Sequence, residues 1–138
     1  MELAIYWDAS AILSLIARDA HTDDALSWYE KDCTHLMSTL AYAETCAVLS
    51  RLQRDRIITG SEASGSLDAI ASLPWKRLLL CPGWDEISEV SGKWGLRGAD
   101  LWHLSLALTL RRRQLSELVL LTYDSQLRSA AAGEGLAL

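Results

Sequence analysis

Four acidic side chains, Asp8, Glu44, Asp100 and Asp124, lie in positions suited to chemistry. Asp8 closes the apolar run "ELAIYW" and Asp124 follows "VLLTY", each where an apolar segment gives way to a helical pattern. Glu44 lies inside "STLAYAETCAVL" and Asp100 near the start of "LRGADLWHLSLAL", two stretches otherwise composed for a protein interior. Taken singly, an Asp between a strand and a helix reads as a helix N-cap, worth about 1 kcal/mol over Ala. Capping does not account for Glu44, which spacing by three and four places on one stripe with Leu40, Ala41, Ala47 and Val48. An acid there carries a desolvation cost unless a partner meets it, or unless it reaches solvent at the edge of the stripe. The small alanines beside it suggest close packing.

Brought to one cleft, such acids repel. Neighbours ~5 Å apart cost roughly 3 kcal/mol per pair at an effective dielectric of about 20. The only lysines, Lys31, Lys76 and Lys93, each lie in a polar stretch, so no buried lysine is available to offset them. Hard oxygen donors without His or Cys select Mg²⁺ or Mn²⁺. If the helix begins at Ala99 or Asp100, Asp100 projects along the line of Leu104, Ala107 and Leu108, toward the core, and the helix dipole favours its ionised form. Ser105, Thr109 and Arg112 make the narrow polar stripe of that helix. His103, one turn in, reads as a core histidine or as support for a ligand rather than a ligand itself.

The elements that must position these acids follow from periodicity. Residues 2–7 read as a strand, and "ASAILSLIAR" switches to helical spacing with Ile12, Leu15 and Ile16 on one face. "HTDDALSWYEKD" is a helix with acids in its first turn, "THLMS" a strand, and residues 39–53 a longer helix. "TGSEASGSLDAIASL" starts as a Gly/Ser-rich turn and becomes a helix. "WKRLLL" is a strand stopped by Cys81-Pro82-Gly83, and a helix through "DEISEVSGKWG" leads to the Asp100 helix. "ELVLLT" is the clearest buried strand, "SQLRSAAAGEG" a closing helix ended by Gly, and the tail "LAL" a last edge strand. Strands alternating with helices predict a mostly parallel sheet wrapped on both sides. Ligands then bind beyond the carboxyl ends of the strands, where Asp8 and Asp124 fall.

The 138 residues are enough for one domain with a substantial core, and 50% hydrophobic with 22% charged residues is a globular composition. No apolar run approaches the ~20 residues of a membrane span, and "LAIYW" has no basic region before it, so no signal peptide is expected. Cys33, Cys46 and Cys81 are scattered without a CxxC pair and suit reduced thiols of a cytoplasmic protein. A net charge of −5 weighs weakly against nucleic-acid binding, although Arg51, Arg54 and Arg56 form one basic cluster and Arg111, Arg112 and Arg113 another. The second cluster reads first as a solvated helix C-terminus. No Walker-type GxxxxGK[ST] and no GxSxG occurs.

"YWDASAIL" (6–13), "STLAYAETCAVLSR" (38–51), "GLRGADLWHLSLAL" (95–108) and "LLTYDSQLRSAA" (120–131) resemble, in order and spacing, the four signature blocks of PIN-domain ribonucleases. The likeness is greatest to the VapC toxins of toxin–antitoxin pairs. It runs from about residue 4 to the C-terminus, so residues 1–138 are expected to form a single PIN domain. The resemblance implies an α/β PIN-like fold with a sheet of four or five strands. It implies a Mg²⁺- or Mn²⁺-dependent endoribonuclease leaving a 5′-phosphate and a 3′-hydroxyl. Asp8 and Asp100 match its direct ligands, with Glu44 and Asp124 completing the quartet directly or through water. Ser10 and Thr122 match hydroxyls that hold the acids or a water. It further implies an RNA substrate, a cognate VapB-like antitoxin laid over the groove, and a homodimer. Ala9 departs from the Thr or Ser often found after the first acid, which removes one hydroxyl contact and no acid.

Three rival readings are weighed against this one. A non-catalytic PIN module binding RNA or protein is disfavoured by the retained quartet, and a PIN nuclease with a housekeeping role in RNA processing is the nearer alternative. Aspartyl-phosphate chemistry is disfavoured because Ser10 stands where a dehalogenase-type phosphatase needs a second Asp, and because no Lys follows Lys93 as a receiver domain requires.

Overall fold

The computed structural model describes residues 2–113 and 117–137. Its elements run β1 (Ala4–Trp7), α1 (Ala9–Ile16), α2 (Thr22–Tyr29), β2 (Thr34–Ser38), α3 (Thr39–Arg54), α4 (Gly60–Ser72), β3 (Lys76–Leu78), α5 (Trp84–Ser91), α6 (Gly98–Arg113), β4 (Leu118–Leu121) and α7 (Ser125–Gly133). The four strands form one parallel sheet in the order β3-β2-β1-β4. Parallel strands need crossover connections, and helices supply all of them, as the alternating pattern predicts.

Strand side chains alternate between the two faces, and each face buries a separate apolar cluster. Ala4, Tyr6, Leu36, Leu118 and Leu120 pack with residues of α5, α6 and α7. Ile5, Trp7, Met37, Val119 and Leu121 pack with residues of α1 to α4. β1 and β4 are buried on both faces, which explains why they read as continuous apolar runs rather than alternating ones. Among the described residues, no helix is long and apolar enough to cross a membrane.

Four boundaries differ from the sequence expectation. The Gly/Ser-rich stretch is not a turn: α4 begins at Gly60, fixed by a capping box in which Thr59 accepts from the Glu62 N–H and Glu62 accepts from the Thr59 N–H. β3 stops at Leu78 because Leu79 and Leu80 lie exposed, with no face of the core to cover them. α6 begins at Gly98, so Asp100 lies in the first turn rather than at the cap. The described part of the tail is not a strand. Gly135 turns the chain at φ 74°, Leu136 buries, and its carbonyl accepts a single bond of 2.8 Å from the Leu120 N–H. The last residue of that tail lies outside the described residues.

α6 is buried continuously from His103 to Leu110, including the polar stripe. Ser105 and Thr109 turn their hydroxyls back to the carbonyls of Leu101 and Ser105, and Thr109 also accepts from the Gly83 N–H at 3.0 Å. The stripe is therefore satisfied under the segment leading into α5, not by water. The arginines at the end of α6 behave as a helix C-terminus. Arg111 donates to the Glu134 carbonyl at 2.6 Å, and Arg112 pairs with Glu89 at 2.8 Å.

Candidate active site

β1 and β4 are neighbours although far apart in sequence, and strand order reverses between them. A parallel sheet opens a crevice at such a point, beyond its carboxyl edge. Trp7 and Leu121 are register partners at that edge, so Asp8 and Thr122 follow side by side.

Asp8 is 4% exposed and three donors of the chain meet its carboxylate. Its Oδ1 accepts from the Ala11 N–H at 2.9 Å, capping α1, and from the Ser10 hydroxyl at 2.7 Å. Its Oδ2 accepts from the Thr122 hydroxyl at 2.5 Å. The two hydroxyls are themselves fixed: Ser10 Oγ accepts from the Tyr123 N–H at 2.9 Å and Thr122 Oγ1 from the Asp124 N–H at 3.1 Å. Burial pushes the Asp8 carboxyl above its ordinary range, and the bonds from Thr122, Ser10 and Ala11 oppose that rise.

Asp124 repeats the local arrangement in an exposed setting. It caps α7 by accepting from the Leu127 N–H at 2.9 Å. Asp100 is half-buried in the first turn of α6. Burial raises its carboxyl above the ordinary range first, and Asp124, Asp8 and Glu44 raise it further, with His103 opposing.

Glu44 is neither sealed nor free. Its side chain is 32% exposed, and Oε1 lies 2.5 Å from His103 Nε2. Of the alanines near it, Ala41 is buried while Ala43 and Ala47 face solvent, so the stripe is narrower than its spacing suggested. His103 is buried, and its Nδ1 lies 2.6 Å from the Tyr6 hydroxyl, which is 2.7 Å from Ser38 Oγ. Tyr6 and Ser38 were not among the sequence candidates. The available signals were the two-residue period that puts Tyr6 on the same side of β1 as Asp8, and a Ser at a strand-to-helix junction.

Asp124, Asp8 and Glu44 are thus each near enough to Asp100 to raise its carboxyl, and Ser10 and Thr122 bond Asp8. Among the described residues, no three His, Cys, Asp or Glu side chains stand ready-made around a cation position. The donor chemistry nonetheless suits a hard divalent cation. The groups are carboxylates backed by hydroxyls, and no ion pair among the described residues joins Asp8, Asp100 or Asp124 to a lysine or arginine.

Residues 5–133 match the family model described as PIN domain. Comparison with curated proteins gives no match. Among solved structures, the chain is similar to PAE2754 from Pyrobaculum aerophilum, with 27% identity, a TM-score of 0.66, and coverage of 93% of this chain and 79% of that one. It is also similar to the Mycobacterium tuberculosis toxin VapC20, described as cleaving the sarcin–ricin loop, at 16% identity and a TM-score of 0.61, covering 91% and 94% of the two chains. VapBC2 from Rickettsia felis, solved with a DNA fragment from its promoter, is similar at 16% identity and a TM-score of 0.60, covering 88% and 100%. At 16% identity the last two likenesses carry the fold alone. With the family match running from β1 to the end of α7, over a parallel sheet whose carboxyl edge gathers the acids, the chain belongs to the PIN-domain family.

Proposed function

We propose that residues 1–138 form one PIN domain that acts in the cytoplasm as a Mg²⁺- or Mn²⁺-dependent endoribonuclease, the toxin of a toxin–antitoxin pair. The observation that carries this reading is the rise of the Asp100 carboxyl, caused after burial by Asp124, Asp8 and Glu44 in turn. Like charges held near one another, with no lysine or arginine paired to Asp8, Asp100 or Asp124 among the described residues, favour a cation as their partner.

Asp8 and Asp100 are the proposed direct ligands, with Glu44 and Asp124 acting directly or through water. A divalent cation held there supplies Lewis acidity, activating water and offsetting charge on the scissile phosphate. The chain's own part is placement. Ser10, Thr122 and the Ala11 N–H fix both oxygens of Asp8, so its orientation is set before RNA arrives. Asp100 and Asp124 are more exposed and face the incoming phosphate from two helix N-termini. Without the cation, the acid cleft of a chain of charge −5 repels RNA. The same charge favours a basic segment of a VapB-like antitoxin laid across the groove. A homodimer is proposed as the working form.

Incubation of the purified protein with total RNA tests this directly. Cleavage is expected with Mn²⁺ and none with EDTA, and Asp100→Ala is expected to leave RNA intact. An Asp100→Ala protein that cleaves at the wild-type rate overturns the mechanism. Wild-type protein that binds RNA in Mn²⁺ without cutting it indicates the non-catalytic module. A gel-filtration profile with only monomer counts against the dimer.

A further inference from the structure

A buried line of hydrogen bonds runs over the carboxyl edge of the sheet, from the acid cleft to the N-terminus of α3. It uses one residue from each of four elements: Tyr6 of β1, Ser38 at the end of β2, Glu44 of α3 and His103 of α6. We infer that His103 is a positioning residue for Glu44, holding one carboxylate oxygen through Nε2–H, and that Tyr6 and Ser38 fix which ring nitrogen carries the proton. The argument is a count of donors and acceptors.

Ser38 Oγ already accepts from the Ala41 N–H at 3.1 Å, the cap of α3. Its single proton is then free to meet Tyr6 Oη at 2.7 Å. The Tyr6 hydroxyl has one proton of its own to give, as any phenol does at neutral pH. That proton points to His103 Nδ1 at 2.6 Å, which makes Nδ1 an acceptor. The ring hydrogen falls on Nε2, facing Glu44 Oε1 at 2.5 Å. The opposite tautomer would set a bare ring nitrogen against a carboxylate oxygen at that distance, lone pair against lone pair.

This order uses every donor once. It occupies both ring nitrogens, which removes His103 as a metal ligand. It leaves Glu44 with one oxygen, Oε2, for the cleft. The imidazole is 1% exposed and packs edge-on to Trp102, with ring centroids 5.7 Å apart at 89°. A carboxylate that is 32% exposed would be satisfied by water alone, so tying it to a buried residue restricts its direction rather than solvating it. The line also ties α3 to α6, which cover opposite faces of the sheet.

The role assigned to Oε2 rests on the proposed nuclease reading; the order of the hydrogen bonds does not. The experiment therefore has one arm without metal and one with it. Long-range ¹H–¹⁵N spectra of the metal-free wild-type protein are expected to give His103 as a single tautomer protonated at Nε2, and Tyr6→Phe is expected to abolish that preference. A ring protonated at Nδ1, or at both nitrogens, overturns the inference. In the second arm, calorimetry with Mn²⁺ alone is expected to give affinity about 10–100-fold weaker for His103→Leu. His103→Gln, which keeps an N–H donor, is expected to recover most of it. Equal Mn²⁺ affinity in wild type and His103→Leu overturns the positioning role. If His103→Leu fails to fold, a His103→Gln protein as weak as Tyr6→Phe does the same. Wild-type protein that neither binds Mn²⁺ nor cuts RNA defeats the nuclease reading, while the spectrum still decides the hydrogen-bond order.

Discussion

Asp8 and Asp124 share one local grammar and differ in everything beyond it. Each follows a parallel strand, holds an extended backbone and caps the next helix by accepting an N–H three residues on. Asp8 is buried and accepts from two hydroxyls besides, one of them 114 residues away, which leaves one acceptor site on Oδ2. Asp124 is exposed, and its side chain makes the cap bond. Capping alone explains Asp124 as a local feature; it does not explain a carboxylate sealed by Ser10 and Thr122. The burial that raises the Asp8 carboxyl is a cost the fold bears to hold that oxygen pair in one direction. Carboxylates at neighbouring strand ends thus divide into a buried anchor and an exposed cap.

The sharpest way to break this contrast is at Asp8. Asp8→Asn keeps the size, the cap acceptor and a donor for Thr122, and removes the buried charge. RNA cleavage is expected to fall about a thousandfold or more, as loss of several kcal/mol of charge stabilisation implies. Thermal stability of the metal-free protein should hold or rise, because the fold disfavours the charged form. Asp8→Ala should lose cleavage equally and also destabilise by roughly 2 kcal/mol, since it removes a cap and orphans two hydroxyls. A melting curve separates the two variants.

At Asp124 the same pair of measurements should part company differently. Asp124→Ser retains a good N-cap, so stability should stay within about 0.5 kcal/mol of wild type. Cleavage should still fall by about 10–100-fold. A fully active Asp124→Ser protein would reduce Asp124 to a cap. Thr122→Val tests the anchor from its other side. Leaving Asp8 Oδ2 without its donor should cost about 1–3 kcal/mol by chemical denaturation and slow RNA cleavage about tenfold.

The smallest expected effect concerns pH. The Asp100 carboxyl is raised above its ordinary value of 3.8 by burial and by Asp124, Asp8 and Glu44. The unfolded chain releases that proton first, so stability from this group is full below 3.8 and declines as pH rises toward the folded value. Metal-free wild-type protein should therefore melt slightly lower at pH 7 than in the upper acid range, once other groups are matched, and Asp100→Asn should flatten that slope. Differential scanning calorimetry across the range reads it. A slope unchanged in Asp100→Asn would remove Asp100 from the coupled acids.

Much of the architecture was legible because it rests on local periodicity. Apolar runs that end at or shortly before an Asp marked β1 and β4, and three-four spacing marked α1 and α3. Errors fell where a single tertiary neighbour decides. β3 lost Leu79 and Leu80 from the end of its run because no core faced them, and the tail lost its strand to one turn at Gly135. The Ser105–Thr109 stripe looked solvent-facing by composition, yet the segment ending at Gly83 covers it. Asp8, Glu44, Asp100 and Asp124 stood out as candidates by type and position, whereas Ser10 and Thr122 entered only through the resemblance to the PIN-domain blocks. The environment of Asp100 was not legible, because its charge neighbours come from three other elements.

The sequence by itself determined the strand and helix order, and with it the placing of two Asp residues at strand ends, since both follow from backbone periodicity and cap preference within a few residues. Only the tertiary structure decided which carboxylate is sealed and which is wet, and that a tyrosine 97 residues away directs the histidine that holds Glu44. The physical reason is that burial and hydrogen-bond direction depend on what the sheet brings alongside, and a parallel sheet brings together residues the chain keeps far apart.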